Sequence, residues 1–296
     1  MFSGSLVALA TPFDENNRID YRALERLIEF HVQEGTDGLV IAGTTGESAT
    51  LEKGEHAELI GRAAEIVDGR LPVIAGTGSN STAQTIALSE EVARYRIDGY
   101  LMVVPYYNKP VQEGLYRHFW AAADAVQKPV MLYNVPGRTV ADLLPETVAR
   151  LAEHPRIFGL KEATGDLDRL RAIQTLVPGD FRLYSGDDFT AREFMELGGH
   201  GVVTVTGNVA PRAMSAMSKA ALGGDFDGAR KLDEPLRALH DAMFVESNPI
   251  PVKWALHLMG LMGPGIRLPL TPLSDGHREK LCRAMAGAGI RLGESE

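Results

Sequence analysis

The chain of 296 residues has one cysteine, Cys282, so no internal disulfide can form and a reducing, cytoplasmic setting is the simplest expectation. No apolar run reaches the ~18 residues of a membrane span, and no membrane partner is expected. The opening "MFSGSLVALATPF" has no basic leader, and its apolar part is too short for a secretory signal. No cluster of lysine or arginine stands out against a formal net charge of −9, which argues against nucleic acid as a partner. The eight histidines are scattered with no ligand spacing, so no metal is expected. Neither a GxGxxG nor a P-loop pattern occurs, and no organic cofactor is expected either. What remains is a soluble chain suited to small molecules.

What the sequence does contain is a regular alternation. Eight short β-rich runs occur: "SLVALAT" (5–11), "GLVIAG" (38–43), "PVIAGTG" (72–78), "GYLMVVP" (99–105), "PVMLYNVP" (129–136), "FGLKEAT" (158–164), "FRLYSGDD" (181–188) and "GVVTVTG" (201–207). Near-continuous apolar strands mark parallel sheets covered on both faces. Helical patterns lie between them. Leu24, Leu27, Ile28 and Val32 follow helical spacing, with Asp20 placed to cap and Gly35 to terminate. Ser81 and Gln84 form a capping-box pattern, and Pro145 stands near a helix start. Eight such units predict a (β/α)8 TIM barrel over 1–224, with a doubly wound open sheet as the alternative. "FDGARKLDEPLRALHDAMF", "PIPVKWALHLMG" and "SDGHREKLCRAMAGAG" read as a C-terminal helical extension, 225–296.

In such a barrel the chemistry gathers at the C-terminal ends of the strands. Those ends here are "GTTGES", "PYYNKP", "YNVPGRT", Lys161 and "SGDD". Of eight lysines, only Lys161 falls inside a predicted strand. Lys253 lies in an apolar helix, where a snorkelling side chain is the plain reading. For Lys161 the plain reading is an ion pair with Glu162 or Asp187. Strand neighbours face opposite ways, which makes Glu162 a poor partner. A lysine taken out of water sheds its proton more readily, and a neutral amine attacks a ketone to form a Schiff base.

Other groups suit that chemistry. Tyr133, on the adjacent strand, offers an acid or base, or else is a core tyrosine. The amides and hydroxyls of Thr44 and Thr45 suit a carboxylate, or else form an ordinary turn. Arg138 offers a planar fork to a second carboxylate, or else a surface salt bridge. Asp187 and Asp188 are weak candidates for Mg²⁺.

Together "GTTGES" (43–48), "YNVPGRT" (133–139), "GLKEAT" (159–164) and "SGDD" (185–188) resemble the dihydrodipicolinate synthase/N-acetylneuraminate lyase family. The similarity covers nearly the whole chain, including "ESNPIPVKWALHLMG". It implies a Schiff base between Lys161 and pyruvate, and aspartate semialdehyde as the second substrate. It implies a proton relay from Tyr133 through Thr44 to Tyr107, which reaches in from a neighbouring subunit of a homotetramer. Thr45, Gly186 and Val203 would line the pyruvate site, and Arg138 would bind the aldehyde's carboxylate. Val203 and Thr204 stand where many relatives have Ile and Ser. The resemblance also implies a regulatory lysine pocket near Ser48, Ala49, His56, Asn80, Gln84 and Tyr106. Strongly inhibited members carry Glu in place of Gln84 and often His in place of Lys53, so weak or absent inhibition is expected. Three other readings remain open: a sister lyase acting on another aldehyde, a catalytically dead binding barrel, and a pyridoxal-phosphate enzyme.

Overall fold

The computed structural model describes residues 2–293. Eight parallel strands close on themselves in chain order, which decides against an open doubly wound sheet. They are β1 (Gly4–Ala8), β2 (Gly38–Ile41), β3 (Val73–Gly76), β4 (Gly99–Val103), β5 (Val130–Asn134), β6 (Ile157–Glu162), β7 (Arg182–Ser185) and β8 (Gly201–Thr204). Each falls on an expected run, and each ends before its run does. The residues left over at the C-terminal ends of the runs, Gly43, Thr77, Pro105, Pro136, Thr164 and Gly186 among them, are where the backbone leaves the ladder to form loops.

Around the barrel run α1 (Tyr21–Glu34), α2 (Lys53–Val67), α3 (Thr82–Val92), α4 (Gln112–Asp124), the single turn α5 (Pro136–Thr139), α6 (Pro145–Leu151), α7 (Leu167–Gln174), α8 (Ala191–Glu196) and α9 (Pro211–Leu222). The Asp20 side chain caps α1 by accepting from the amides of Arg22 and Ala23, and Gly35 closes it at φ 77°. Only half of the capping box at α3 forms. Ser81 accepts from the Gln84 amide, but the Gln84 Oε1 takes the Ser79 hydroxyl instead of reaching back. Beyond the barrel lie α10 (Phe226–Asp233), α11 (Arg237–Ala242), α12 (Ile250–Leu258) and α13 (Asp275–Gly287). Pro235, which has no amide hydrogen, falls where α10 gives way to a short 3-10 turn before α11.

The core has two layers. A large one lies between strands and helices, and a smaller one fills the barrel with Leu6, Val40, Ile74, Met131, Phe158 and Tyr184 among others. One irregularity between β5 and β6 matters for the site. Val130 pairs with Ile157 and Met131 with Gly159, so Phe158 is an extra residue. Such a bulge shifts the alternation of the strand by one. Phe158 packs inside the barrel. Strict alternation from it would turn Lys161 outward. After the bulge, Lys161 stands in register with Tyr133 on one side and Tyr184 on the other, two residues of the inner layer.

Candidate active site

Lys161 is 6% exposed, and its Nζ lies 4.0 Å from the centroid of the Tyr133 ring. Among the described residues no carboxylate pairs with it. Glu162 faces the other way, where it receives Asn134 Nδ2 at 3.1 Å and lies 3.0 Å from Arg169 Nε on α7. Burial pushes the Glu162 carboxyl up, against the pull of Asn134 and Arg169. Asp187 is engaged by Thr190, through its amide at 3.0 Å and its hydroxyl at 2.6 Å. Neither carboxylate raised as an ion-pair partner for Lys161 is therefore available to it. Space for the lysine comes from Gly186. A Cβ there would fall 2.9 Å from Lys161 Cε and 2.6 Å from the Ala163 Cβ. Val203 on β8 is buried in the same inner layer as Tyr133.

The "GTT" loop is set by its backbone. Ala42, at the end of β2, adopts φ 57°, and Glu47 adopts φ 56°. A non-glycine residue at positive φ is costly and persists only where its surroundings enforce it. Here β3 comes close: a Cβ on Gly76 would sit 2.4 Å from the Ala42 carbonyl oxygen. Thr44 is half-buried, and Thr45 is buried with its hydroxyl accepting from Asn248 Nδ2 at 3.0 Å. Arg138 on α5 is exposed and forms no salt bridge among the described residues. Its Nη2 donates to the Asn248 carbonyl oxygen at 3.3 Å. Asp188 is buried, with its Oδ2 accepting from the Val205 and Thr206 amides at 2.9 and 2.8 Å and its Oδ1 unpartnered among the described residues.

A cavity of about 700 Å³ opens at the mouth of the barrel, lined by Thr44 and Arg138 together with Ser48, Ala49, Lys53, His56, Gln84 and Tyr106. Asn80 lies beside this region, its carbonyl accepting from Asn108. Tyr107 stands apart. It is 87% exposed at φ 75°, and among the described residues no hydrogen bond joins it to Thr44, or Thr44 to Tyr133.

Lys253 corrects the sequence reading. It does not snorkel. It is 3% exposed and bonded to Glu47, with Arg267 N donating to the other Glu47 oxygen at 3.0 Å. Burial pushes the Lys253 ammonium down, while Glu47 holds it up. The neighbours in sequence carried a signal: Val252, Trp254, Ala255 and Leu256 leave no polar face to reach for. Glu47 and Asn248 were also missed, because each lies in a segment recognised only as a motif.

Residues 1–288 match the model of the dihydrodipicolinate synthetase family. The chain belongs to that family. It is 56% identical over 290 residues to 4-hydroxy-tetrahydrodipicolinate synthase of Stutzerimonas stutzeri, covering 98% of this chain and 99% of the relative. The enzyme of the same name from Pseudomonas aeruginosa is likewise 56% identical, with the same coverage. Among solved structures, a chloride-inhibited dihydrodipicolinate synthase from Acinetobacter baumannii, complexed with pyruvate, has TM-score 0.97 and 48% identity. That match covers 98% of this chain and 100% of the other.

Proposed function

We propose that the protein is a 4-hydroxy-tetrahydrodipicolinate synthase, a lyase of the class I aldolase type that joins pyruvate to L-aspartate 4-semialdehyde on the diaminopimelate route to lysine. The observation that carries this reading is Lys161: a buried amine on the inner face of a barrel, against Tyr133, with no carboxylate paired to it among the described residues. Lys161 attacks the pyruvate ketone and water leaves, giving an iminium. The iminium draws electrons from the neighbouring methyl, which loses a proton and becomes an enamine carbon. That carbon bonds to the aldehyde carbon, whose oxygen takes up a proton. The amino group of the semialdehyde then attacks the imine carbon, closes a six-membered ring and releases Lys161.

Tyr133 and Thr44 serve as the proton path, Thr45 holds the pyruvate carboxylate, and Gly186 and Val203 wall the pyruvate site. Arg138 takes the carboxylate of the semialdehyde, which favours this aldehyde over a sugar-acid substrate. Tyr107 completes the path from a neighbouring subunit of a homotetramer, a dimer of dimers. Its high exposure and strained backbone within one chain suit that role. The barrel domain is placed at 1–224, the extension at 225–296, and the enzyme in the cytoplasm. Among the described residues no helix is long and apolar enough to cross a membrane.

The test is an assay of the purified protein with pyruvate and a panel of aldehydes. Turnover is expected with aspartate semialdehyde far above the rest. A stronger response to a sugar aldehyde would move the protein to a sister activity. Mixing inactive Tyr107→Phe with inactive Lys161→Ala is expected to restore activity through hybrid dimers. Absence of rescue despite demonstrated subunit exchange would confine the relay to one chain.

A further inference from the structure

Three residues of the C-terminal extension grip one short stretch of the barrel. Asn248 bonds to Thr45, Lys253 to Glu47, and Arg267 to Glu47 through its amide. Arg267 also holds the Thr50 carbonyl at 3.0 Å and both Glu55 oxygens at 2.6 Å. Among these contacts Asn248 is the one that touches groups assigned to both substrates. Its Nδ2 donates to Thr45 Oγ1 at 3.0 Å, and its backbone carbonyl accepts from Arg138 Nη2 at 3.3 Å.

The direction of the first bond matters. A hydroxyl that accepts from an amide keeps its own hydrogen for another acceptor, and a substrate carboxylate is acceptor-only. With Asn248 as donor, Thr45 is left to donate to pyruvate. The other end of the same side chain reinforces this. Asn248 is 6% exposed, and its Oδ1 is buried with no partner. Only the donor end of the side chain is therefore engaged, and it is engaged with Thr45.

We propose that Asn248 is a positioning residue: it fixes the Thr45 hydroxyl as a donor and steadies the Arg138 guanidinium, so that the extension sets the grip on both carboxylates. The proposal deepens the reading given above and rests on its assignment of Thr45 to pyruvate.

The experiment measures KM and kcat for each substrate in Asn248→Ala, Asn248→Asp, Thr45→Val and the double variant Thr45→Val/Asn248→Ala. Asn248→Ala is expected to raise the pyruvate KM about tenfold, as loss of one ordering hydrogen bond allows, with a smaller change in kcat. Asn248→Asp has nearly the same shape and keeps the backbone bond to Arg138. It is expected to raise the pyruvate KM further, because the new carboxylate takes the Thr45 proton and repels the substrate's own charge. Its effect on the KM for the aldehyde is expected to be smaller. In the Thr45→Val background, Asn248→Ala is expected to add less than about twofold, since residues acting through one another are not additive. Independent, multiplicative effects would overturn the proposal, as would a wild-type pyruvate KM in Asn248→Asp. If Asn248→Ala melts early, the near-isosteric Asp variant carries the comparison. Borohydride capture of pyruvate on the unmodified enzyme runs alongside. Failure there would sink the reading of the site, whereas capture with additive KM effects would sink only the role of Asn248.

Discussion

Lys161, on strand β6, and Lys253, on helix α12 of the extension, are 6% and 3% exposed. Each rests its Nζ on an aromatic ring, 4.0 Å from the centroid of Tyr133 for one and 4.3 Å from that of Phe13 for the other. They differ in what else is near. Lys253 has the Glu47 carboxylate, itself held by the Arg267 amide. Lys161 has no carboxylate among the described residues. Burial is thus common to both and cannot be what makes a lysine nucleophilic. Lys253 spends its amine tying two segments together through Glu47, even though burial pushes its ammonium down. Lys161 is committed to no carboxylate among the described residues, which leaves its Nζ free to meet a substrate carbon.

The largest expected contrast comes from removing each amine in turn. Lys161→Met should cost roughly 10³-fold or more in kcat/KM. Its melting temperature should be unchanged or raised, because an unpaired buried amine leaves. Lys253→Met should still trap pyruvate but lose about 3–5 kcal/mol of stability, roughly 10 °C in Tm, because Glu47 is left buried and unpaired. Adding Glu47→Leu should recover much of that loss. Calorimetry and steady-state kinetics on the same preparations decide it. If Lys253→Met lost imine formation while remaining folded, the two lysines would not be distinct in role.

Next in size is Arg138→Ala. Charge-assisted hydrogen bonds are worth about 1.5–3 kcal/mol each, so kcat/KM for the aldehyde should fall roughly 10²-fold with the pyruvate imine intact. Equal loss of both functions would make Arg138 structural.

A smaller effect is expected from Gly186→Ala, whose methyl presses on Lys161 Cε. Ala163, whose Cβ would lie 2.6 Å away, and the lysine must both give way, which moves the amine from its place beside Tyr133. The rate of imine formation, followed by quenched borohydride trapping, should drop about tenfold, the equivalent of about 1.4 kcal/mol. An unchanged rate would show that the amine tolerates repositioning.

Smallest is the response to free lysine, a ligand that also brings an ammonium out of water. Gln84 offers an amide where a carboxylate would balance that charge, and Lys53 lines the same cavity. Weak inhibition is expected, strengthened in Gln84→Glu. Tight, near-complete inhibition of the unmodified protein at sub-millimolar lysine would contradict this.

Most of this architecture was legible in the sequence because parallel strands announce themselves as apolar runs and the barrel rule then points to their C-terminal ends. Asp20 and Gly35 marked the ends of α1 by capping chemistry that is entirely local. What was hidden is non-local. The bulge at Phe158 depends on the register of β5 against β6, and counting alternation from Phe158 would have turned Lys161 outward. The Lys253–Glu47 pair spans 206 positions, so neither residue hints at the other. Asn248 likewise acquires meaning only when α12 is laid against the "GTT" loop. The Gln84 side chain went to Ser79 because a hydroxyl two residues before the cap competed for it.

The decisive bond is the one between an enzyme lysine and pyruvate. The protein is incubated with pyruvate, reduced with borohydride, digested and analysed by mass spectrometry. A single adduct on the peptide containing Lys161, with the peptide containing Lys253 unmodified, is the predicted result. An adduct on Lys253, or none at all, would contradict it.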